Sequence, residues 1–229
     1  MKYEFISIGG WCGPKLAMYQ AKILDEENLP FDYIRSTVRG IIDSIENNFS
    51  NYFPDPEMDK RFYSYKSFIG KHTGFFHNEN PKDTQVIESI NRKIARWHNK
   101  LELKSNIFFI RYCITPNYKT ELEELHELSK LLKTKYTSIN FRILFLVPDQ
   151  PKTEYYKYDG DYIFIFAVND KSYNNNNLGY EVAPLFNFIK ENDLFERIPE
   201  MNSIELVTPT SRLFYVDGHP CINDFSKYI

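Results

Sequence analysis

Residues 107–147, IFFIRYCITPNYKTELEELHELSKLLKTKYTSINFRILFLV, read as strand, helix, strand. Ile107 to Tyr112 and Phe141 to Val147 are short, nearly unbroken apolar runs, the pattern of strands covered on both faces. Between them Leu122, Leu125, Leu128 (or Ser129) and Leu132 recur at helical spacing. Two parallel strands joined by a right-handed crossover are the economical solution. Outward from this unit, Tyr3 to Ile8 and Tyr162 to Val168 read as two more strands. Further helical patterns run from Leu16 to Leu24, through Val38, Ile41, Ile42, Ile45 and Phe49 after Ser36 or Thr37 as N-cap, through Ile87, Ile90, Ile94, Trp97 and Leu101 after Asp83, and through Val182, Leu185, Phe186 and Ile189. The expectation is a single α/β domain over residues 1–229, with three layers and a mainly parallel sheet carrying helices on both faces. Turn-rich breaks at 54–56, 70–81, 148–160 and 172–179 read as loops, and Asn174 to Asn177 as a solvated one.

A chain of 229 residues with 42% hydrophobic and 17% aromatic residues has material for a substantial core. Its net charge of −3 supplies no global attraction to nucleic acid or to an anionic membrane, so neither is expected as a partner. The three cysteines, Cys12, Cys113 and Cys221, are odd in number and lack a CxxC pair, which argues against a disulfide framework or a zinc knuckle. No metal site and no cofactor is expected. The start of the chain has no charged and apolar leader pattern, and no apolar run approaches the length of a membrane span. A cytoplasmic, reducing setting follows as the expectation.

In an open parallel sheet the ligand site lies outside the carboxyl ends of the strands. Residues 5–16, Phe-Ile-Ser-Ile-Gly-Gly-Trp-Cys-Gly-Pro-Lys-Leu, carry Cys12 to that edge, through a Gly-Gly turn and into a helix primed by Pro14. Unpaired N–H groups and the positive end of a helix dipole there favour a thiolate, the form of cysteine that acts as a nucleophile. Gly10, Trp11 and Gly13 supply candidate backbone donors for an oxyanion. His77 lies in an aromatic, turn-rich loop, where a ring is available for proton transfer. His219 follows Asp217 by two residues, so that in an extended chain both point to one side and Asp217 can orient the ring. Either histidine can serve as base. Asp32 reads as a loop brace or ligand contact, Arg35 and Arg39 as anion-binding candidates, Arg111 as half of a buried ion pair, and His98 and His126 as solvent-facing. Residues 61–68 alternate basic and aromatic side chains and read as a packed strand or loop.

Ser7 to Cys12, then Pro30-Phe31-Asp32-Tyr33, Phe76-His77-Asn78, Arg92 to Trp97 and Phe108 to Arg111, in this order, resemble a family of bacteria and large DNA viruses labelled "putative papain-like cysteine peptidase". That family's pattern is S-L-G-x-x-C, P-F-D-W, H-D, R-R-x-x-R-F and F-V-R. The resemblance spans about residues 3–147 and implies peptidase chemistry at Cys12. Asn78 stands where the family tends to have Asp, and an amide carbonyl can still accept from the imidazole. A papain-like α+β domain, with a cysteine helix against an antiparallel barrel, is the alternative fold. The parallel-sheet reading is instead Rossmann-like or SGNH-like. In SGNH-type esterases and their GSCFA relatives a nucleophile follows strand one, and a late Asp-x-x-His block resembles Asp217-Gly218-His219 with one spacer fewer.

The expected function is a cysteine hydrolase of an acyl or amide bond, with Cys12 as nucleophile, His77 or His219 as base, and Asp32, Arg35 and Asn78 beside the substrate. An SGNH-like esterase or glycan-modifying enzyme is the alternative enzyme. A non-catalytic protein binding a host or glycan partner is the alternative outside catalysis. The substrate would be a peptide, acyl or glycan group, met in a host cell if the chain is viral.

Overall fold

The structure, a computed structural model, describes residues 3–23, 27–50, 52, 68–69, 73–75, 83–103, 106–115, 117–160, 162–169, 175–195, 206–207, 214–216 and 219–221. In chain order these form β1 (Tyr3–Ser7), α1 (Gly13–Gln20), β2 (Ile34–Ser36), α2 (Val38–Glu46), β3 (Phe68–Ile69), β4 (Thr73–Phe75), α3 (Thr84–Glu102), β5 (Asn106–Tyr112), α4 (Tyr118–Lys135), β6 (Asn140–Val147), β7 (Glu154–Asp159), β8 (Ile163–Ala167), α5 (Asn175–Asn192), β9 (Phe214–Val216) and β10 (His219–Cys221).

The main sheet has the order β1-β5-β6-β8-β7. Its first four strands are parallel, and β7 joins β8 antiparallel at the edge. This is the expected α/β sheet, with helices on both faces, rather than the antiparallel barrel of a papain-like α+β domain. Alternation within each strand sorts side chains into two cores. Ile107, Phe109 and Cys113, with Ile143, Phe145 and Ile165, face Leu122, Leu125, Leu128 and Leu132 of α4 and residues of α2 and α3. Phe108, Ile110 and Tyr112, with Leu144, Leu146 and Phe166, face Ala17 and Met18 of α1 and Val182, Leu185 and Phe186 of α5. Each core buries many large apolar side chains, at roughly 1.5–3 kcal/mol apiece relative to exposure.

The chain therefore leaves β1 for one face, through α1, and leaves β5 for the other, through α4. Adjacent strands whose connections diverge in this way open a crevice at their carboxyl ends. The antiparallel β2-β4-β3 sheet stands as a separate element, with Ile34 paired to Phe75, and β9-β10 is an antiparallel hairpin.

Helix boundaries follow local chemistry. Thr37 Oγ1 accepts from Gly40 N at 3.0 Å to cap α2, and Asp83 Oδ1 accepts from Gln85 N at 2.8 Å to cap α3. The first helix starts at Gly13 and ends at Gln20, earlier than the expected Leu16 to Leu24. Three expected loops carry regular structure: β7 lies within 148–160, β4 within 70–81, and Asn175 to Asn177 open α5. β7 escapes a periodicity reading because its Tyr and Lys residues are mostly half-buried on an edge.

His98 and His126 do not simply face solvent. His98 is half-buried, edge-on to Phe49 at 5.7 Å, and burial lowers its pKa. His126 Nε2 lies 3.1 Å from Asp159 Oδ2.

Candidate active site

Cys12 is the N-cap residue of α1, with φ −69° and ψ −19°, and Pro14 follows in the first turn. Its carbonyl accepts the first helical bond, from Leu16 N at 3.1 Å. The first-turn N–H groups of Gly13 and Lys15 are among those an α-helix leaves without an intrahelical acceptor. The thiol is partly exposed. Burial nevertheless pushes its pKa up, and the backbone hydrogen bond at Cys12 offsets only part of this. Burial therefore shifts the thiol in the direction opposite to the one expected from its place at a helix start.

The approach to Cys12 depends on two glycines. Gly9 and Gly10 have φ of +75° and +101°, a region that side chains rarely adopt. A Cβ on Gly10 would stand 2.4 Å from the Tyr112 carbonyl oxygen, and one on Gly9 2.4 Å from Ser36 Oγ. Gly10 thereby lets the loop lie against the end of β5. Trp11 packs edge-on to Tyr112 at 5.7 Å.

Segment 27–36 forms the facing wall, and it is held from several directions. Lys15 Nζ bonds Asp32 Oδ2 at 2.8 Å and the Glu27 carbonyl at 3.0 Å. Asp32 Oδ2 also accepts from Leu29 N at 2.8 Å. Arg96 grips the Asn28 carbonyl through Nε and Nη2, at 3.0 and 2.7 Å, and Tyr52 donates to the Pro30 carbonyl. Phe31 packs edge-on against Trp97 and Tyr52. Asp32 is buried, and desolvation raises its pKa against the opposing pull of Lys15. It braces the loop through a buried ion pair. Tyr33 follows it in the left-handed region, with φ +59°.

Below the crevice, Arg111 interrupts the apolar stripe of β5. Its Nε lies 2.5 Å from Glu121 Oε1, and its Nη1 donates to the Ile8 carbonyl at 3.2 Å and the Ser36 carbonyl at 2.8 Å. Glu121 Oε2 accepts from Ile114 N, Thr115 N and Thr115 Oγ1 at 3.1–3.3 Å, with Cys113 Sγ at 3.5 Å. This buried network ties the ends of β1, β2 and β5 to the first turn of α4, immediately before the Cys12 loop. Arg111 is the buried ion-pair residue its sequence position suggested.

The structure brings Gly10, Trp11, Cys12 and Gly13 together on one loop and places Asp32 on the wall beside it. Arg35 is buried on β2, whereas Arg39 pairs with Glu127 at the surface, at 2.6 Å. His72, His77, Asn78 and Asp217 lie outside the described residues, as does most of 61–68. The backbone of His219 is paired with Val216 in β10. Lys15, Tyr33 and Glu121 belong to the neighbourhood and escaped the sequence reading. The available signals were a lysine one turn after the cysteine, a glutamate in the first turn of the helix after β5, and an aromatic next to Asp32. Among the described residues no group of three or more His, Cys, Asp or Glu could hold a metal ion, and no helix is long and apolar enough to cross a membrane.

A model of the family described as "Putative papain-like cysteine peptidase (DUF1796)" matches residues 3–151. Comparisons with curated proteins and with solved structures give no match. The matched segment contains β1, the Cys12 loop, the 27–36 wall and the Arg111 network.

Proposed function

The chain belongs to this family, and we propose that it is a cysteine hydrolase of acyl or amide bonds, with Cys12 as the nucleophile. The observation that carries the reading is the position of Cys12: a partly exposed thiol, the N-cap of α1, at the carboxyl-end crevice between β1 and β5. A thiol raised by burial needs a base to become a nucleophile. His77 is the favoured base. It lies within the segment that the family model matches. His219, with Asp217, is the competing base.

In the proposed reaction the base takes the Cys12 proton and the sulfur adds to the substrate carbonyl. The N–H groups of the Gly10–Gly13 loop face the oxyanion, and the base then returns its proton to the leaving amine or alkoxide. Water hydrolyses the thioester. A peptide bond is the substrate the family label suggests. An ester or glycan-linked acyl group is the second reading, favoured by a nucleophile directly after the first strand of a parallel sheet.

The test is a vinyl-sulfone probe followed by peptide mapping, together with turnover of a peptide amide and of an ester, for wild type, Cys12→Ala, His77→Ala and His219→Ala. The reading expects labelling at Cys12, loss of turnover in Cys12→Ala, and loss in only one histidine variant. Turnover that survives Cys12→Ala refutes it. An absence of labelling and turnover favours the binding-protein alternative.

A further inference from the structure

The segment that carries Tyr33 is held against the segment that carries Cys12 at two points. Before Cys12, a Cβ on Gly9 would stand 3.4 Å from the Phe31 carbonyl and 3.7 Å from that of Ile34. After Cys12, Lys15 is ion-paired with Asp32 at 2.8 Å. Cys12 lies between Gly9 and Lys15 in the chain, and Tyr33 lies between Asp32 and Ile34, so the segments that carry them run side by side, near enough for a charge on Cys12 to act on the Tyr33 phenol. A bulky residue in the left-handed region is strained, because its Cβ crowds the backbone. The anchors of the 27–36 wall hold Tyr33 there with φ +59°. Strain held in place by its surroundings is characteristic of functional positions.

We propose that the Tyr33 hydroxyl donates a hydrogen bond to the oxyanion that forms when Cys12 attacks a substrate carbonyl. The proposal rests on Cys12 being the nucleophile. In the step, the Cys12 proton passes to the base and the sulfur forms a bond to the carbonyl carbon. The C=O π pair moves to oxygen, where the phenol O–H meets it. When that pair re-forms the carbonyl, the leaving group departs with its bonding electrons and a thioester remains. Tyr33 keeps its proton throughout. Burial first, then the charges of Asp32 and Cys12, raise its pKa, which suits a group that donates without ionising.

The test compares wild type and Tyr33→Phe with two probes. Iodoacetamide alkylates Cys12 by displacing iodide and passes through no oxyanion. p-Nitrophenyl acetate acetylates it through a tetrahedral oxyanion and expels p-nitrophenolate. The expected result is alkylation of Cys12 unchanged within about twofold and acetylation slowed about a hundredfold or more, the lower end of what one oxyanion donor supplies. Acetylation at the wild-type rate overturns the proposal. Equal slowing of both reactions also overturns it, because a structural defect acts on both. A wild-type Cys12 inert to both probes sinks the nucleophile reading, and the proposal with it.

Discussion

Replacing Glu121 by Ala should be among the most destabilising single changes in the chain. Arg111 and Glu121 are both essentially excluded from solvent, at 0% and 1% side-chain exposure, and lie 2.5 Å apart. Removing one partner of a buried pair leaves an uncompensated charge and costs about 3–5 kcal/mol. The same carboxylate receives Ile114 N and Thr115 N, whose loss pushes the figure toward the upper end. For a domain of this size, roughly 2–4 °C per kcal/mol converts that cost into a Tm drop of about 6–20 °C. Urea unfolding followed by far-UV circular dichroism, with thermal melts beside it, measures both. The double variant Arg111→Met with Glu121→Leu should recover only the part due to the lone charge, because Ile114 N, Thr115 N and the Ile8 and Ser36 carbonyls still lose their side-chain partners. A Glu121→Ala protein within about 1 kcal/mol of wild type would refute the ion pair as the brace beneath the Cys12 loop.

Other outcomes follow from the same geometry. Gly10→Ala should destabilise by about 1–3 kcal/mol and slow Cys12 labelling, because its Cβ meets the immovable Tyr112 carbonyl at 2.4 Å; equilibrium unfolding and timed alkylation check this. Lys15→Met should cost about 3–5 kcal/mol near neutral pH by leaving the Asp32 carboxylate buried alone. Asp32 already holds its proton more tightly in the fold than an ordinary aspartate, so its contribution is full at acid pH and is lost as pH rises through the raised value. The Lys15→Met deficit should therefore shrink toward ~pH 4, and urea melts at both pH values test that sign. Alkylation of Cys12 should accelerate with pH without levelling off below the ordinary thiol range, since burial raises its pKa. Cys113, pushed further up by deeper burial and by Glu121, should react far more slowly, and peptide mapping that shows equal rates would contradict both assignments.

The main sheet was legible because its four parallel strands are nearly continuous apolar runs, and the helices because Ile, Leu and Val recur at three and four. β2, β3 and β4 were not, being two or three residues long, and β7 was hidden by half-buried tyrosines and lysines at a sheet edge. Within the site, the glycines and Pro14 announced the loop around Cys12. Lys15 and Glu121 did not stand out, because charges in helical patterns read as solvated faces, while here each is buried against a partner supplied from a distant or newly turned segment. The upward direction of the Cys12 pKa is hidden for a related reason: a helix start is visible in sequence, and burial is not. The left-handed Tyr33 carries no local signature, since nothing in an Asp-Tyr dipeptide calls for positive φ.

The most direct measurement is rapid acid quenching of the protein with p-nitrophenyl acetate, followed by intact-mass spectrometry and peptide mapping. Cysteine hydrolase chemistry predicts one acetyl adduct, a thioester on Cys12, forming in step with p-nitrophenolate release and absent from Cys12→Ala. An adduct confined to other residues, or nitrophenolate release that persists at the wild-type rate in Cys12→Ala, would contradict Cys12 as the nucleophile.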